Sequence, residues 1–314
     1  MTFTLAAEAL VGFRVQPKEY PELLGVFEVF ANNLFCLPLL CPGMGLAKGM
    51  SARKLLLKKI QECLESKKRD AAANQSLLNS GEGEDALSRL MKASGEDALT
   101  DSELKDLSLE LLFAGHATTA SAATSLVIKL HEHSDVLEKV LRELDGFGLV
   151  AGEQRDLTLA QLRQLEYTGA VIKEVLRLLP PIGGGFRKVI KTFELNGYQI
   201  PEGWTVAYSI RETHQTSPMF PNNQQFNPDR WLAKGDDEKF HYLPFGGGPR
   251  MCVGREFALL ALRVFVVELV RSSTWSLMNG ECRMSYLPVP HPVDGLPVRF
   301  TERDLTKRQE AAAI

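Results

Sequence analysis

The amino-acid sequence predicts a mainly α-helical fold with a small β part. Three patterns support this prediction: a long helix from Thr100 to about Leu130, a strongly apolar helix at about 253–271, and an Asn-Gly pair at 196–197. Apolar residues recur at helical spacing in the first two segments and alternate in short runs around the third. An Asn-Gly pair between such runs is a strong local signal for a β-hairpin.

Length, composition and charge exclude several classes of protein. The chain has 314 residues, of which 45% are hydrophobic and 24% charged, so it can form a large core and we expect a single domain over 1–314. The formal net charge of -3 gives no overall field that would attract nucleic acid or anionic lipid. No apolar run reaches about 20 residues without a charge, so we expect no membrane-spanning helix. The five cysteines include no CxxC pair, which argues against a disulfide scaffold or a zinc module and fits a reducing compartment.

The first hundred residues are predicted to be helices joined by irregular connections. Residues 1–12 have the pattern of a core helix, because Glu8 and the lack of a basic leader do not fit a signal peptide. Prolines and glycines at 31–49 predict a break before a basic helix at 51–68. The polar segment 68–99 predicts a mobile surface connection with a possible short helix at 83–93.

The long helix that follows has an unusual centre. Thr100 and Glu103 have capping-box spacing at its start. Gly115 in its interior weakens a helix by about 1 kcal/mol relative to alanine. The adjacent Thr118 and Thr119 are also poor interior residues, because their hydroxyls compete for backbone carbonyls. A helix that keeps such residues at its centre is a candidate for a functional role.

The second half of the chain is predicted to alternate helices, a hairpin and loops. Thr158 and Gln161 indicate a helix cap, and a further helix at about 165–178 ends at a double proline. The hairpin is expected to use strands at Phe186–Leu195 and Tyr198–Ile200, followed by a run at Thr205–Ser209. Loops are expected at 211–250, and a disordered tail at 301–314.

The segment from Phe245 to Gly254, FGGGPRMCVG, carries the most specific signal. A lone cysteine before a helix is most often a buried, inert thiol, and a glycine-rich turn can instead cradle phosphate, but no Gly-Lys-Ser/Thr follows here. The whole segment resembles the haem-binding signature of the cytochrome P-450 superfamily, FxxGxRxCxG. The resemblance implies a cytochrome P-450 fold and haem b, with the Cys252 thiolate as the iron ligand. Phe245 and Gly246 would line the haem, and Arg250 would meet a propionate.

The physical chemistry of this segment agrees with that role. Glycines let a backbone pass close to a flat macrocycle without Cβ clashes. A cysteine at the start of a helix is favoured as a thiolate by the unpaired N–H groups and the helix dipole. A thiolate axial ligand pushes electron density onto iron and favours O–O cleavage.

Other segments match the same superfamily in the expected order. Glu174 and Arg177 match its ExxR element, and with Arg230 they resemble its buried Glu–Arg–Arg cluster, although such a pair alone would more often be a surface ion pair. Arg187 matches a second propionate contact; in isolation a strand-edge arginine is equally plausible.

The centre of the long helix, AGHATT at 114–119, resembles the family's oxygen-activating AGx(D/E)TT segment. The resemblance implies that Thr118 is catalytic, hydrogen-bonding dioxygen and helping to deliver protons, with Thr119 as the weaker candidate. Ala117 replaces the usual acidic residue, which makes efficient proton delivery doubtful. His116 is interpreted as structural and not as a ligand.

Four longer stretches are similar to the retinoic-acid hydroxylases: Glu110–Leu126, Gly184–Trp204, Tyr208–His214 and His291–Phe300. This resemblance implies oxidation of a retinoid, all-trans-retinoic acid, by dioxygen with electrons from NADPH-cytochrome P-450 reductase. We hypothesise that Phe113 and the 181–183 stretch face the substrate.

The similarity starts where the family's chain is already well advanced, so the chain is expected to be an N-terminally truncated, carboxyl-terminal part without the family's membrane anchor. Weak haem retention is expected to follow. The family's location would be the endoplasmic reticulum membrane, on its cytoplasmic face. Basic residues around the cysteine segment are candidates for a reductase-docking face, with scattered solubilising charges as the alternative: Lys188, Lys191, Arg255, Arg263 and Arg271.

Two other functions stay open at this point. One is a non-catalytic product that binds haem or a retinoid without turnover, which the truncation and Ala117 favour. The other is a monooxygenase of the same family that acts on another lipid or a sterol. Product formation that depends on NADPH would separate catalysis from binding, and ligand-induced spectral shifts would separate the substrates.

Overall fold

The computed structural model describes residues 1–73, 84–150, 156–232, 240–280 and 282–303. Over these residues the fold is mainly α-helical with a small β part, as predicted from the sequence. The helices are α1 (Thr2–Ala6, continued by a π-helical turn over Ala7–Val11), α2 (Tyr20–Asn32), α3 (Gly45–Ala73), α4 (Ala86–Met91), α5 (Asp101–Glu132), α6 (Ser134–Gly146), α7 (Leu159–Gln164), α8 (Glu166–Leu178), α9 (Ile210–Thr216) and α10 (Arg255–Ser272).

The strands form two-stranded antiparallel sheets within the described ranges. Their bounds are β1 (Gly184–Lys188), β2 (Phe193–Leu195), β3 (Tyr198–Ile200), β4 (Thr205–Ser209), β5 (Ser273–Leu277), β6 (Met284–Ser285), β7 (His291–Pro292) and β8 (Val298–Glu302). The pairs are β1 with β4, β2 with β3, β5 with β8, and β6 with β7. Asn196 and Gly197 join β2 to β3 with φ values of 51° and 80°, as a tight hairpin turn requires. The predicted hairpin is therefore confirmed, although its first run is divided into β1 and β2.

Helix starts at Thr100 and Thr158 are capped as the sequence predicts. The Thr100 backbone N–H and hydroxyl both donate to the Glu103 carboxylate, at 2.8 and 2.7 Å. Thr158 and Gln161 form the reciprocal capping box at the start of α7. These side chains satisfy N–H groups that the first turn of a helix leaves unpaired.

Packing divides the chain into two compact units, Met1–Ala117 and Thr118–Ile314. In the first unit, α1 is a core helix as expected, with Phe3 and Val11 completely buried together with Phe27 and Leu64. In the second unit, α8 and α10 carry many of the buried apolar residues. The sequence predicts one domain over 1–314, and that assignment stays a prediction.

Three segments differ from the sequence-based expectations. The start of the 68–99 connection is helical, because α3 continues to Ala73, and residues 74–83 lie outside the described ranges. The possible short helix at 83–93 is confirmed by α4, which buries Leu87 and is capped by Asp85. The segment expected to be a loop at 211–250 begins with α9. The start of the expected tail completes β8, and 304–314 lie outside the described residues.

By length and composition, α5 is a weak candidate for a membrane-spanning helix among the described residues, where the sequence pattern predicted none. Half of its most apolar window is buried inside the protein, which is also typical of the core helix of a soluble protein.

Candidate functional site

The segment from Phe245 to Gly254 folds into a loop that precedes α10. Gly246 and Gly248 have φ values of 72° and 71°, in the left-handed region that favours glycine. The Cys252 N–H donates to the Phe245 carbonyl at 3.0 Å, which closes the loop just before the helix. The sequence therefore forms the glycine-rich turn that the motif predicts, with the cysteine near a helix N-terminus.

The cysteine and its neighbours are exposed. Cys252 is an exposed free thiol, Val253 is 93% exposed and Met251 is 47% exposed. Phe245 is partly buried and packs against the core of the second unit. The loop thus presents a thiol together with apolar side chains at its surface, while Phe245 fixes its other end in the core.

Arg250 and Arg187 both expose their side chains. Arg187 lies on β1, where its Nη1 donates to the Phe186 carbonyl at 2.8 Å and its guanidinium lies 5.1 Å from the centre of the Tyr208 ring. Neither arginine has an ion-pair partner within the described part of the chain. Both are therefore able to bind an acidic group, and their roles as propionate ligands stay predictions.

The same compact unit contains the Glu–Arg–Arg cluster, built on the Glu174 carboxylate. Arg177 donates to both Glu174 oxygens, at 2.8 and 2.9 Å, and Arg230 donates to Oε1 at 3.1 Å. The Trp231 indole N–H and the Asn227 backbone N–H also donate to this carboxylate, each at 2.9 Å. Glu174 and Arg177 are buried, so this is the buried cluster that the sequence resemblance implies and not a surface pair.

The cluster is stabilised by satisfied hydrogen bonds as well as by charge. Burial alone would raise the pKa of Glu174, but hydrogen bonds from Arg177 and Asn227 and the charges of Arg177 and Arg230 outweigh it and lower that pKa. Arg177 also donates to the Asn223 and Gln225 carbonyls, at 2.7 and 3.2 Å. The guanidinium therefore joins α8 to the loop before Arg230.

The centre of α5 includes Gly115 and His116 in the first compact unit and Thr118 and Thr119 in the second. In the first unit, a Cβ on Gly115 would stand 2.7 Å from the Leu10 side chain, so glycine permits close packing there. His116 Nδ1 lies 2.8 Å from the Thr2 hydroxyl, and the His116 ring is edge-on to Phe3 at 5.5 Å. These contacts support the structural interpretation of His116.

In the second unit, Thr118 is half-buried and Thr119 is buried. The catalytic role of Thr118 stays a prediction. For the expected substrate-facing residues, Phe113 packs against Phe27 and Phe30 with ring centres 6.3 Å apart in each case. In the 181–183 stretch, Pro181 is buried and the next two residues are exposed.

Sequence reasoning missed His214, which is completely buried on α9. Its Nδ1 lies 3.0 Å from the Arg177 carbonyl, and the Leu243 N–H donates to its Nε2 at 2.9 Å. A histidine within a segment predicted to be a loop gives no local signal of such a role, because both partners are distant in the sequence.

Comparison with known proteins identifies the family. The family model described as Cytochrome P-450 matches residues 18–289. The chain belongs to the cytochrome P-450 family. It is 45% identical over 310 residues to cytochrome P-450 26A1 of Gallus gallus, covering 96% of this chain and 62% of that relative. It is 42% identical over 319 residues to cytochrome P-450 26B1 of Homo sapiens, covering 98% and 61%. The chain thus spans about three fifths of the length of these relatives.

Among solved structures, this cytochrome P-450 chain is similar to the one titled "Retinoic acid bound cyanobacterial CYP120A1". The TM-score is 0.83 and the sequence identity 35%, and the match covers 96% of this chain and 67% of that one. The predicted fold and the predicted resemblance to the retinoic-acid hydroxylases are confirmed.

Cytochromes P-450 hold haem through a cysteine thiolate, and the residues described above fit that group. The Cys252 thiol is exposed on a loop, apolar Met251 and Val253 lie beside it in the sequence, and two exposed arginines are able to meet propionates. A haem has the same combination of a metal that binds thiolate, an apolar face and two acidic groups. The donor set therefore agrees with the family's cofactor.

The basic residues expected to form a docking face are mostly engaged elsewhere. Arg263 is half-buried and donates to the Leu162 carbonyl at 2.8 Å. Arg271 forms an ion pair with Glu268 at 2.7 Å, and Arg255 lies 3.7 Å from the Glu256 carboxylate. Of the five, the exposed Lys188 and Lys191 have neither an ion pair nor a side-chain hydrogen bond with another described residue.

Proposed function

We propose that this chain is the haem-binding part of a monooxygenase, with Cys252 as the thiolate ligand of the haem iron. The observation that carries the proposal is the complete segment from Phe245 to Gly254, folded as a glycine turn that exposes the Cys252 thiol. The buried Glu174 cluster supports it, because it is the buried Glu–Arg–Arg cluster that the family resemblance implies.

The residues that would hold the haem have distinct roles in this proposal. When bound, haem supplies the activation of dioxygen and the oxidation of the substrate. The Cys252 thiolate donates electron density to the iron. Arg250 and Arg187 would bind propionates through charge-assisted hydrogen bonds, while Phe245 and Gly246 would line the haem and allow its close approach.

Thr118 is the proposed catalytic residue, and its Oγ1 would hold a proton and pass it on during oxygen activation. Ala117 has no carboxylate to relay protons to it. Proton delivery to Thr118 must then come from water or another group, and we expect slower turnover than an acidic residue at 117 would give. The variant Ala117→Asp is expected to raise the yield of product per NADPH consumed.

A retinoid, all-trans-retinoic acid, is the proposed substrate. The proposal is supported by the 42–45% identity to the 26A1 and 26B1 proteins and by the likeness to a structure whose title names bound retinoic acid. Electrons would come from NADPH-cytochrome P-450 reductase at the cytoplasmic face of the endoplasmic reticulum membrane, as the family resemblance implies. Lys188 and Lys191 are the candidates for contact with the reductase.

The reduced CO-difference spectrum of haem-reconstituted 1–314 tests the proposal. We expect a Soret band at the thiolate position that is lost in Cys252→Ser and kept in the matched control Cys41→Ser, which changes another exposed cysteine. Equal bands in both variants would exclude Cys252 as the ligand.

Substrate and turnover are tested separately on the same preparation. All-trans-retinoic acid is expected to shift the Soret band at lower concentrations than a fatty acid or a sterol, and to be oxidised only with NADPH and reductase. Tighter binding of the sterol would contradict a retinoid as the substrate and favour a sterol. Retinoid binding without any product would favour the non-catalytic alternative.

A further inference from the structure

His214 is a buried polar side chain that the proposed mechanism does not use. It is 0% exposed and lies on α9, between α8 and the loop that carries Cys252. One ring nitrogen, Nδ1, lies 3.0 Å from the Arg177 carbonyl oxygen. The other, Nε2, accepts the Leu243 backbone N–H at 2.9 Å.

These two partners fix the tautomer of the ring. The Arg177 carbonyl can only accept, so Nδ1 must carry the proton, and the Leu243 N–H can only donate, so Nε2 must be bare. A neutral imidazole with this tautomer satisfies both backbone groups. Burial lowers the pKa of His214 to about 4, which is consistent with a neutral ring.

Both ring nitrogens of His214 are engaged in these hydrogen bonds, and aromatic side chains pack against the ring itself. The ring of Tyr242 stacks on His214 with centres 5.5 Å apart, and Phe220 meets it edge-on at 6.4 Å. The Arg177 side chain, whose charge acts on His214, donates to the Glu174 carboxylate. The imidazole is therefore a fixed bridge between two backbone segments.

The bridge ends where the Cys252 loop begins. The Leu243 carbonyl accepts the Gly246 N–H at 2.9 Å, and the Phe245 carbonyl accepts the Cys252 N–H at 3.0 Å. The hydrogen bond from the Leu243 N–H to His214 is thus followed, within three residues, by the turn that sets the direction of the loop. The other ring nitrogen, Nδ1, donates to the Arg177 carbonyl, and the Arg177 side chain belongs to the Glu–Arg–Arg cluster.

We propose that His214 is a positioning residue that fixes the Cys252 loop to the Glu–Arg–Arg cluster and so keeps the cysteine in place for ligation. The inference rests on the proposed function, because a cysteine that ligates a metal needs its loop held in a fixed position. His214 acts on the loop through backbone groups and does not touch the reacting atoms. Loss of either hydrogen bond would leave a buried backbone group unpaired.

The test compares His214→Phe, His214→Gln and Glu143→Gln in the full 1–314 chain. Phenylalanine keeps an aromatic ring against Tyr242 but removes both hydrogen bonds, whereas glutamine retains one donor and one acceptor. Glu143→Gln is the control for general stability, because Glu143 accepts the Tyr167 and Thr168 N–H groups at the start of α8, on the same compact unit.

The first readout is hydrogen exchange of the chain without haem. We expect amides in 240–254 of His214→Phe to exchange roughly tenfold faster than in the wild type, which corresponds to about 1.4 kcal/mol. His214→Gln should lie between them. Glu143→Gln should lower Tm without a selective change in 240–254. Unchanged protection of 240–254 in folded His214→Phe, or equal acceleration there in Glu143→Gln, would overturn the inference.

The second readout is the reduced CO-difference spectrum of the haem-reconstituted variants. His214→Phe is expected to move the Soret band from the thiolate to the protonated-thiol position, with partial rescue in His214→Gln. A full thiolate band in His214→Phe would contradict a positioning role. If His214→Phe fails to fold, the same two measurements on His214→Gln decide. A wild type without any thiolate band would refute the proposed function, while hydrogen exchange would still test the bridge.

Discussion

Glu174 and Cys252 lie in the same compact unit, yet their surroundings are opposite. The Glu174 carboxylate is completely buried and accepts hydrogen bonds from two arginines, an indole and a backbone N–H. The Cys252 thiol is exposed, and so are the side chains on either side of it in the sequence. The polar groups around Glu174 hydrogen-bond to one another inside the protein, whereas the Cys252 thiol faces the surface.

The difference separates stability from reactivity. A buried charge is tolerated only when its partners are held in good geometry, so the Glu174 cluster is rigid and costly to alter. An exposed loop contributes little packing, and its shape depends on turns and on attachments to the core, here Phe245 and His214. Substitutions in the cluster should therefore change stability first, and substitutions in the loop should change ligation first.

The largest expected effect is that of Glu174→Gln. This change leaves two guanidinium groups without their carboxylate, and breaking such a buried pair costs about 3–5 kcal/mol. Urea unfolding followed by circular dichroism measures the loss. The matched control is Glu138→Gln, which removes an exposed carboxylate 3.9 Å from Arg142 and should change the free energy of unfolding by less than about 0.5 kcal/mol. Similar losses for both variants would contradict the contrast between buried and exposed groups.

An intermediate effect is expected from acid. Burial lowers the pKa of His214 and of His116 to about 4, with the positive amino terminus contributing at His116. An unfolded histidine titrates near pH 6.5, so between about pH 6.5 and 4 the unfolded state binds protons that the folded state does not. The free energy of unfolding should therefore fall as the pH is lowered through this range.

The lowered pKa of Glu174 acts in a separate and more acidic window. Glu174 contributes to the free energy of unfolding at pH values above the ordinary carboxylate pKa. This contribution is lost as the pH falls through the lowered pKa of Glu174. Urea unfolding at a series of pH values measures both effects. His116→Gln should reduce the pH dependence between about 6.5 and 4, whereas the exposed-residue control His131→Gln should leave it unchanged. Identical pH profiles for the two variants would refute the assignment of this pH dependence to His116.

The smallest expected effect on stability is that of Cys252→Ser. Because the thiol is exposed, the free energy of unfolding of the haem-free chain should change by less than about 0.5 kcal/mol. A loss of several kcal/mol would show that the cysteine supports the fold of the loop. Together with the loss of the thiolate band, an unchanged stability would complete the contrast with Glu174.

The sequence predicted those features that depend on neighbouring residues. Capping pairs at Thr100 and Thr158, the Asn-Gly turn at 196–197 and the helical repeat of α10 follow from local hydrogen bonding and side-chain spacing. The segment around Cys252 was predicted in the same way, because a ten-residue spacing is a local property. The short α9 was missed, since it lacks the length that makes helical periodicity visible.

By itself, therefore, the sequence determined the fold class, the main helices, the cysteine segment and the members of the Glu–Arg–Arg cluster. Only the tertiary structure decided that Gly115 allows Leu10 to pack closely, that Arg263 is drawn inward, and that His214 joins two distant backbone segments. The partners of His214 are 37 and 29 residues away. Such contacts arise when elements pack, and no local pattern of residues specifies them.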